Sequence, residues 1–410
     1  MNAEYKGWVI SLVGALFFFY AFLQVNLMAP LGQYLLQDLQ ISASELGLLS
    51  GSYFYGNVLF LLPAGLLLDR FATKNLMLIN MGIAILGTCI FASSSSLFLA
   101  AFGRFFCGVM MSFGLIICLK LSSSHLPARK MALASSLIVM IGMLGGVMAQ
   151  TPLSLLILAV GWRYALFGVS LFGVCISLIL WWVVPFSSIK KEEDAKALPI
   201  KVSLKKVFCV SQNWYGGFFV SLLNLPIAIL GALFGIDLIT KTYALSSVVA
   251  ASIISMLFFG MIVGSPFFGW LSDRIQKRKP AMLLGAIFCL IFMLLLQYVT
   301  VWNAPLLYLL FFLVGFTSAS QVIGYPAIAE SNQKELSASA LSFATILIMG
   351  GGYGLGLPFV GWLVAKSSIN SAMIAIPIGI ALSILMVFLM KESYPQPEAK
   401  KEASLEVSCE

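Results

Sequence analysis

The chain has 410 residues, of which 60% are hydrophobic and only 10% are charged, and its formal net charge is +8. The mean hydropathy of +1.01 is far above that of water-soluble domains, so a soluble fold is excluded and lipid must surround much of the chain. The positive residues lie between hydrophobic segments, where they act as orientation signals, and they do not indicate binding to nucleic acid.

Twelve apolar runs are long enough to cross a bilayer, which requires about 20 residues of helix. They do not alternate in polarity as the strands of a membrane barrel would, so the sequence predicts an all-α membrane protein with twelve transmembrane helices. We number them spans one to twelve, at about residues 10–30, 46–68, 75–94, 97–119, 131–158, 163–185, 213–238, 247–271, 280–300, 304–328, 338–365 and 369–390.

The polar segments between and after the spans divide the chain. The first run is too long for the core of a signal peptide, so we expect it to remain as span one. The organisation predicted is a six-helix bundle at 1–185, a basic cytoplasmic linker at 186–210, a second six-helix bundle at 211–391 and a disordered cytoplasmic tail at 392–410. The linker could also lie against the lipid surface.

Lysine and arginine are distributed unevenly between the two sides of the predicted membrane. If the N-terminus is cytoplasmic, twenty of the 24 basic residues fall on that side, three fall on the other side, and Arg104 lies within span four. This bias predicts that both termini are cytoplasmic.

One charged string occurs twice. "GLLLDRFATK" at 65–74, between spans two and three, returns 204 positions later as "GWLSDRIQKR" at 269–278, between spans eight and nine. Two six-span halves with matching loops predict an internal repeat, as in transporters built from parallel repeats. The bundles are therefore expected to be pseudo-symmetric.

The first string resembles the G-x-x-x-D-R-x-x-x-R/K signature of the major facilitator superfamily, although Ala72 replaces the usual second glycine. The resemblance implies a two-bundle transporter that works by alternating access, with the repeated charges latching a cytoplasmic gate. Alternatively, these charges only set membrane orientation. The gate residues so implied are Asp69, Arg70, Lys74, Asp273, Arg274 and Arg278.

Span four contains "GRFFCGVMM", which resembles the R-x-x-x-G pattern of the same superfamily at Arg104 and Gly108. A buried arginine faces a bundle interior or a watered cavity and finds a partner there. Two interpretations of Arg104 remain open. It contacts an anionic substrate or assists proton coupling, or it is a structural tie to polar groups of spans one or two.

Span five lacks the Gly-Pro signature of drug antiporters. Its run "GMLGGVMAQTPL" followed by "GWR" resembles a bacterial subgroup that includes phagosomal amino-acid and nucleoside transporters and is related to lysosomal dipeptide carriers. The resemblance implies nutrient uptake by a monomer in the bacterial inner membrane.

Substrate sites in such carriers are built from inward-facing polar groups near the membrane midplane. For each single candidate, an ordinary interhelical hydrogen bond is the alternative role. Asp237 precedes Lys241 by one helical turn, so it forms a salt bridge at an outer gate or receives a substrate ammonium, in which case Arg104 and Asp237 together would suit a zwitterion. The candidates are Tyr20, Gln24, Tyr53, Asn57, Arg104, Asn224, Asp237, Gln321, Tyr325 and Thr345, with Tyr353 beside the last.

The predicted function is secondary-active or facilitative transport of a small polar or zwitterionic metabolite, such as an amino acid or short peptide. The alternatives are a proton-coupled exporter of a drug, siderophore or other metabolite, and a non-transporting receptor with the same fold. No Ser/His/Asp grouping, phosphate loop or metal-ligand spacing occurs, and the seven cysteines are scattered, so no enzyme, cofactor or metal site is expected. Titratable groups are sparse within the spans, which leaves proton coupling open.

Overall fold

The computed structural model describes residues 3–127, 130–186, 206–298, 303–332 and 336–394, without the side chains at positions 3, 4, 62, 66, 69, 132, 337 and 338. Within these ranges the chain is helical and has no strand. Eleven helical segments are long and apolar enough to cross a membrane, and the 28-residue helix Ala43–Arg70 supplies the twelfth crossing. The predicted all-α fold of twelve helices in two six-helix bundles is confirmed.

The first half contains spans one to six. Span one consists of Ala3–Asn26 and Met28–Asp38, span two of Ala43–Arg70, span three of Thr73–Ala92, span four of Leu97–Ser123, span five of Met131–Met148 and Thr151–Val160, and span six of Trp162–Val183. Span one continues eight residues beyond its predicted end. Leu31 and Leu35 lie one helical turn apart and are both buried, so this last part of span one still packs against its neighbours.

The second half contains spans seven to twelve, and three of them include stretches that are not α-helical. Span seven consists of Ser211–Leu223, a π-helical segment Pro226–Phe234 and Gly235–Tyr243, whereas spans eight and nine are the continuous helices Ser247–Ile275 and Arg278–Tyr298. Span ten consists of Ala304–Ser318, a 3₁₀ segment Ala319–Ile323 and Gly324–Glu330. Span eleven consists of Ser337–Ile346, a π-helical segment Leu347–Leu355 and Gly356–Lys366, and span twelve consists of Ile369–Ala372 and Ala375–Leu389. Such irregular segments are frequent at functional sites.

Most of the predicted linker and tail lies outside the described residues. The exceptions are residue 186 and residues 206–210 of the linker, and residues 392–394 of the tail.

The internal repeat extends from the strings to the helix ends. Ser42 caps the N-terminus of span two by accepting from the backbone N–H of Glu45, whose carboxylate accepts in return from the Ser42 backbone. Ser246, 204 positions later, caps span eight by accepting from the Val249 backbone. Each cap satisfies a helix-end N–H that has no partner within the helix.

Glycines bring the second and fourth spans of each half into backbone contact. A Cβ added at Gly108 of span four would lie 1.8 Å from the backbone oxygen of Tyr53 in span two. A Cβ added at Gly315 of span ten would likewise lie 2.1 Å from the backbone oxygen of Leu257 in span eight. The two halves therefore repeat the same close crossing, which only glycine permits.

The halves are in close contact at one end of the bundle. We call the end that carries the two strings the basic end and the other the opposite end. Gly47 of span two and Gly361 of span eleven pack together near the opposite end, where a Cβ added at Gly47 would lie 3.3 Å from the Gly361 Cα. At the basic end, an added Cβ at Gly65 or Gly269 would meet no atom within 4 Å.

The hydrogen bonds that join the halves follow the same pattern. Among the described residues they lie toward the opposite end, and they are Gln33 Nε2 to Asp237 Oδ1 and Thr240 Oγ1, Gln150 Nε2 to the Gly231 backbone oxygen, and the Thr151 and Ser255 hydroxyls. Among the described residues, no hydrogen bond joins the halves at the basic end.

Candidate functional site

Arg104 lies in the core of the first half with none of its side chain exposed. Its Nη1 donates a 2.7 Å hydrogen bond to the backbone oxygen of Gln24 in span one. Its guanidinium carbon lies 4.8 Å from the ring centre of Tyr53 in span two. Spans one, two and four thus converge on this one cation, and its Nε and Nη2 atoms have no hydrogen-bond partner among the described residues.

The other candidates of the first half lie on spans one and two, which contact this arginine. The Gln24 amide nitrogen donates to the Thr88 hydroxyl at 2.7 Å, and the Tyr53 hydroxyl donates to the Ala21 backbone oxygen at 3.1 Å. Tyr20 donates to the backbone oxygen of Val169 in span six. Two acceptors in this region, Gln24 Oε1 and Asn57 Oδ1, are buried without a partner among the described residues.

A second polar cluster lies in the second half, where three spans depart from α-helical geometry. The Gln321 amide nitrogen of span ten donates to Asn224 Oδ1 of span seven at 3.0 Å. The Asn224 amide nitrogen in turn donates to the Tyr353 hydroxyl of span eleven at 3.0 Å. Asn224 precedes the π-helical segment of span seven, Gln321 lies in the 3₁₀ segment, and Tyr353 lies in the second π-helical segment.

Aromatic rings connect the two polar clusters across the interface between the halves. Phe54 of span two stacks on Tyr353 of span eleven, with ring centres 4.4 Å apart and an interplanar angle of 24°. The Phe54 ring also contacts Tyr53 edge to face at 5.2 Å. A continuous series of contacts therefore runs from Arg104 through these rings to Asn224.

Two predicted site residues make no hydrogen bond to either cluster among the described residues. The Thr345 hydroxyl donates to the backbone oxygen of Leu341 in its own helix. Tyr325 is partly buried, and its hydroxyl has no hydrogen-bond partner among the described residues.

Asp237 lies at the opposite end of the bundle. Lys241 binds its Oδ2 at 2.8 Å, and Gln33 of span one donates to its Oδ1 at 3.1 Å. Sequence reasoning did not identify Gln33. The signal was present, because Gln33 and Asp237 are 204 positions apart and thus equivalent in the two repeats.

The predicted pairing of Arg104 and Asp237 around one amino acid does not fit this arrangement. Gln24 contacts Arg104 and Gln33 contacts Asp237, and these two residues of span one are separated by about 13.5 Å along the helix at a rise of 1.5 Å per residue. This separation exceeds the distance between the two charges of an amino acid. Both oxygens of the Asp237 carboxylate also accept hydrogen bonds already.

At the basic end, each half binds the last cation of its own string. Lys74 donates to the backbone oxygen of Trp181 and lies 4.1 Å from the ring centre of Phe186. Arg278 forms ion pairs with Glu330 at 2.7 Å and with Asp273 at 2.8 Å, and it lies 4.7 Å from the ring centre of Tyr394. In both halves an aromatic residue that follows the sixth span therefore covers the cation.

Arg70 and Arg274 are exposed to solvent, and the side chain of Asp69 lies outside the described residues. The predicted gate across the two halves stays a prediction.

Glu392, in the first residues of the predicted tail, caps span nine. Its carboxylate accepts hydrogen bonds from the backbone N–H groups of Arg278 at 2.7 Å and Lys279 at 3.2 Å. Burial acts to raise the pKa of the Glu392 carboxyl, but the hydrogen bonds from the Arg278, Tyr394 and Lys279 backbones outweigh it, so the pKa is lowered. The start of the tail is therefore attached to the repeated string.

We expect Glu392→Gln to lower the melting temperature of the protein in nanodiscs at pH 7. A carboxyl whose pKa is lowered by folding stabilises the protein fully above its ordinary pKa of about 4.3, and this contribution is lost as the pH falls through the lowered value. The difference between wild type and variant should therefore disappear in acid, and a difference that is constant with pH would contradict this account. Glu402→Gln is the control variant, because it removes the same charge from another position of the predicted tail.

Other chemistry is not indicated by the described residues. They contain no group of three His, Cys, Asp or Glu side chains that could hold a metal ion, and the six cysteines among them are free thiols.

Two six-span bundles that enclose polar clusters, and that are in close contact at one end, define the class of membrane transporters that work by alternating access. The sequence profile of the Major Facilitator Superfamily matches residues 13–236 and, in a second alignment, residues 217–408. The chain belongs to this superfamily, as its motifs predicted. It is a multi-pass integral membrane transporter of small molecules and not an enzyme.

Solved structures of other transporters share the fold. A bacterial homologue of the human lysosomal transporter Spinster, inward-facing and unoccupied, has a TM-score of 0.75 at 15% identity, over 94% of this chain and 96% of its own. The inward-facing, occupied form gives a TM-score of 0.73 at 15% identity, over 95% and 97%. The nucleoside transporter NupG, as a point mutant, gives a TM-score of 0.72 at 16% identity, over 95% and 98%. No curated protein matches the sequence.

Proposed function

We propose that this transporter moves a small polar or zwitterionic metabolite, such as an amino acid, a short peptide or a similar nutrient, by secondary-active or facilitative transport. The observation that carries the proposal is the pair of buried polar clusters, one in each half, joined by the Phe54 and Tyr353 rings. Together the two clusters contain amides, phenols and a single cation, Arg104 of the first half. These groups suit a small polar molecule.

In this proposal the halves rock about the site between them. The hydrogen bond between Gln33 and Asp237 supports closure of the opposite end, and the proposal places a cytoplasmic crevice at the basic end. When the halves rock the other way, the repeated strings approach each other. Lys74 and Arg278, with Asp69, Arg70, Asp273 and Arg274, then exchange contacts within one half for contacts across the gate.

The membrane setting completes the proposal. The bias of lysine and arginine supports an orientation with both termini in the cytoplasm of a bacterial cell and the spans in its inner membrane. The transporter acts as a monomer, because each chain supplies both halves of its own site. Protons are the candidate coupling ion, and Glu330 at the basic end is a titratable group on this side of span ten.

The test is a substrate screen in sealed proteoliposomes, with and without an inward proton gradient. The panel contains radiolabelled amino acids, dipeptides and, because NupG is a structural neighbour, nucleosides. We expect saturable uptake of at least one class, with competition inside that class and none in protein-free liposomes. Acceleration by the gradient would establish proton coupling. Binding without uptake, or no entry and no competition across the panel, would overturn the proposal.

A further inference from the structure

The guanidinium of Arg104 has one bound nitrogen and one unbound edge. Nη1 is held by the Gln24 backbone oxygen, whereas Nε and Nη2 are buried and have no hydrogen-bond partner among the described residues. Nε and Nη2 form one edge of the planar group, so the structure leaves free two N–H donors that point in the same direction. A fully buried arginine with such an edge requires an acceptor, and no atom of the described residues accepts from it.

No described acidic side chain supplies this partner, so an anion from outside the chain would complete the edge. The two acidic side chains considered for the transport pathway bind other residues. Asp237 binds Lys241 and Gln33 at the opposite end, and Glu330 binds Arg278 at the basic end. No ion pair among the described residues includes Arg104. A buried charge without a counter-charge is unfavourable, and it is retained in membrane proteins chiefly where it serves binding or conduction.

The geometry of the free edge favours a carboxylate over a spherical ion. Two parallel N–H groups match the two oxygens of a carboxylate, which they bind in a fork that is both stronger and more directional than a single contact. The Tyr53 ring beneath the guanidinium and the Phe91 ring, 6.0 Å away, fix the plane of the fork.

Two acceptors on spans one and two, the spans that contact Arg104, are unbound as well. Gln24 Oε1 belongs to the residue whose backbone binds Arg104, and Asn57 lies one helical turn beyond Tyr53 on the same face of span two. Both acceptors are buried without a partner among the described residues. They suit an N–H or O–H group placed beside the carboxylate.

We infer that the free edge of Arg104 binds the carboxylate of the transported molecule, and that Gln24 and Asn57 accept from an amino or hydroxyl group on the adjacent carbon. The substrate class is therefore the 2-amino and 2-hydroxy acids, including peptides with a free carboxyl end. The inference rests on the proposed transport function and names the group that the first half recognises. Asn224, Gln321 and Tyr353 are left to bind the rest of the molecule.

The experiment measures thermal stabilisation of the purified full-length protein by defined probes. The probes are L-amino acids and L-2-hydroxy acids, each paired with its primary amide, and sodium bromide. The amide keeps the size and the neighbouring donor of the acid but removes the anion. Wild type is compared with Arg104→Lys, which keeps the charge and loses the fork, and with Arg163→Lys, a matched change at an exposed arginine paired with Asp38.

We expect at least one acid to stabilise wild type and Arg163→Lys with an apparent Kd at least tenfold lower than that of its amide. Arg104→Lys should weaken the acid at least tenfold and leave the amide unchanged. Equal stabilisation by acids and amides in wild type would overturn the inference, even if Arg104→Lys fails to fold. Stabilisation by bromide alone, with an anomalous bromide peak at the Arg104 edge, would show that the edge holds a halide and not a carboxylate. This result would also overturn the inference.

Failure of this inference is distinguishable from failure of the proposed function. Uptake of an uncharged molecule that is insensitive to Arg104→Lys would leave the transport function intact and remove the carboxylate site. Selective binding of acids without uptake in sealed vesicles would leave the carboxylate site intact and remove the transport function.

Discussion

Gly108→Ala is expected to prevent stable folding, or at the least to lower the melting temperature in nanodiscs by roughly 1–4 °C, which follows from an overpacking cost of about 1–3 kcal/mol and an unfolding entropy of about 2.1 cal/mol/K per residue. The new methyl group would lie 1.8 Å from the backbone oxygen of Tyr53 and 2.7 Å from its carbonyl carbon. Both atoms belong to the helix backbone, so no side-chain rotation can relieve the overlap and spans two and four must move apart. Arg104, one turn away on span four, would lose its position over Tyr53.

The repeat supplies a second variant and the chain supplies a control. Gly315→Ala should act in the same direction, because its methyl group would lie 2.1 Å from the Leu257 backbone oxygen. Gly82→Ala in span three meets no atom within 4 Å, and alanine stabilises a helix by about 1 kcal/mol relative to glycine. Melting curves followed by intrinsic fluorescence decide the matter. A Gly108→Ala protein as stable as Gly82→Ala would contradict the close crossing.

Crosslinking Gln33 to Thr240 is expected to abolish transport. The two side chains belong to different halves and are joined by a 3.1 Å hydrogen bond at the opposite end. Cysteines at both positions, joined by a short bifunctional thiosulfonate, would hold this end closed, so the crevice could no longer open there. Uptake of the substrate found in proteoliposomes should fall by at least 95%, which is roughly the level set by uncrosslinked molecules, and a reductant should restore it.

The matched control joins two residues of the same half at the same end. Thr242 and Asn370 are linked by a 2.9 Å hydrogen bond between spans seven and twelve, so their crosslink should leave most of the uptake. The seven native cysteines are first replaced in every variant: Cys89, Cys107, Cys118, Cys175, Cys209, Cys289 and Cys409. Continued transport by protein with the Gln33–Thr240 crosslink would mean that transport does not require the halves to separate at the opposite end.

The resemblance to the superfamily and the presence of twelve spans were predictable from local sequence. Hydropathy depends on the composition of one segment at a time, and a helix that crosses lipid must satisfy its backbone within itself, so each span could be recognised without knowledge of its neighbours. The repeat of the strings was also visible, because it concerns residue identity alone. The breaks within spans seven, ten and eleven were not predicted, since their π and 3₁₀ geometry depends on packing between helices.

The candidate site was predictable as a set of residues but not as an arrangement. Arg104, Gln24 and Tyr53 were all recognised as polar groups in apolar spans, and the structure brings them together. Thr345 was recognised by the same reasoning, yet its hydroxyl is satisfied within its own helix. Hydropathy cannot separate these cases, because the rotation of a helix about its axis determines which polar side chain reaches another span.

The sequence by itself determined that the chain is a helical membrane transporter made of two related halves with one buried arginine between its ends. These properties follow from residue identity and spacing, which are local. Only the tertiary structure decided that the halves touch at the end of Gln33 and Asp237, that each half holds its own basic residue at the other end, and that one edge of Arg104 is free. These properties depend on how separate helices approach one another, and that is set by the packing of the whole bundle.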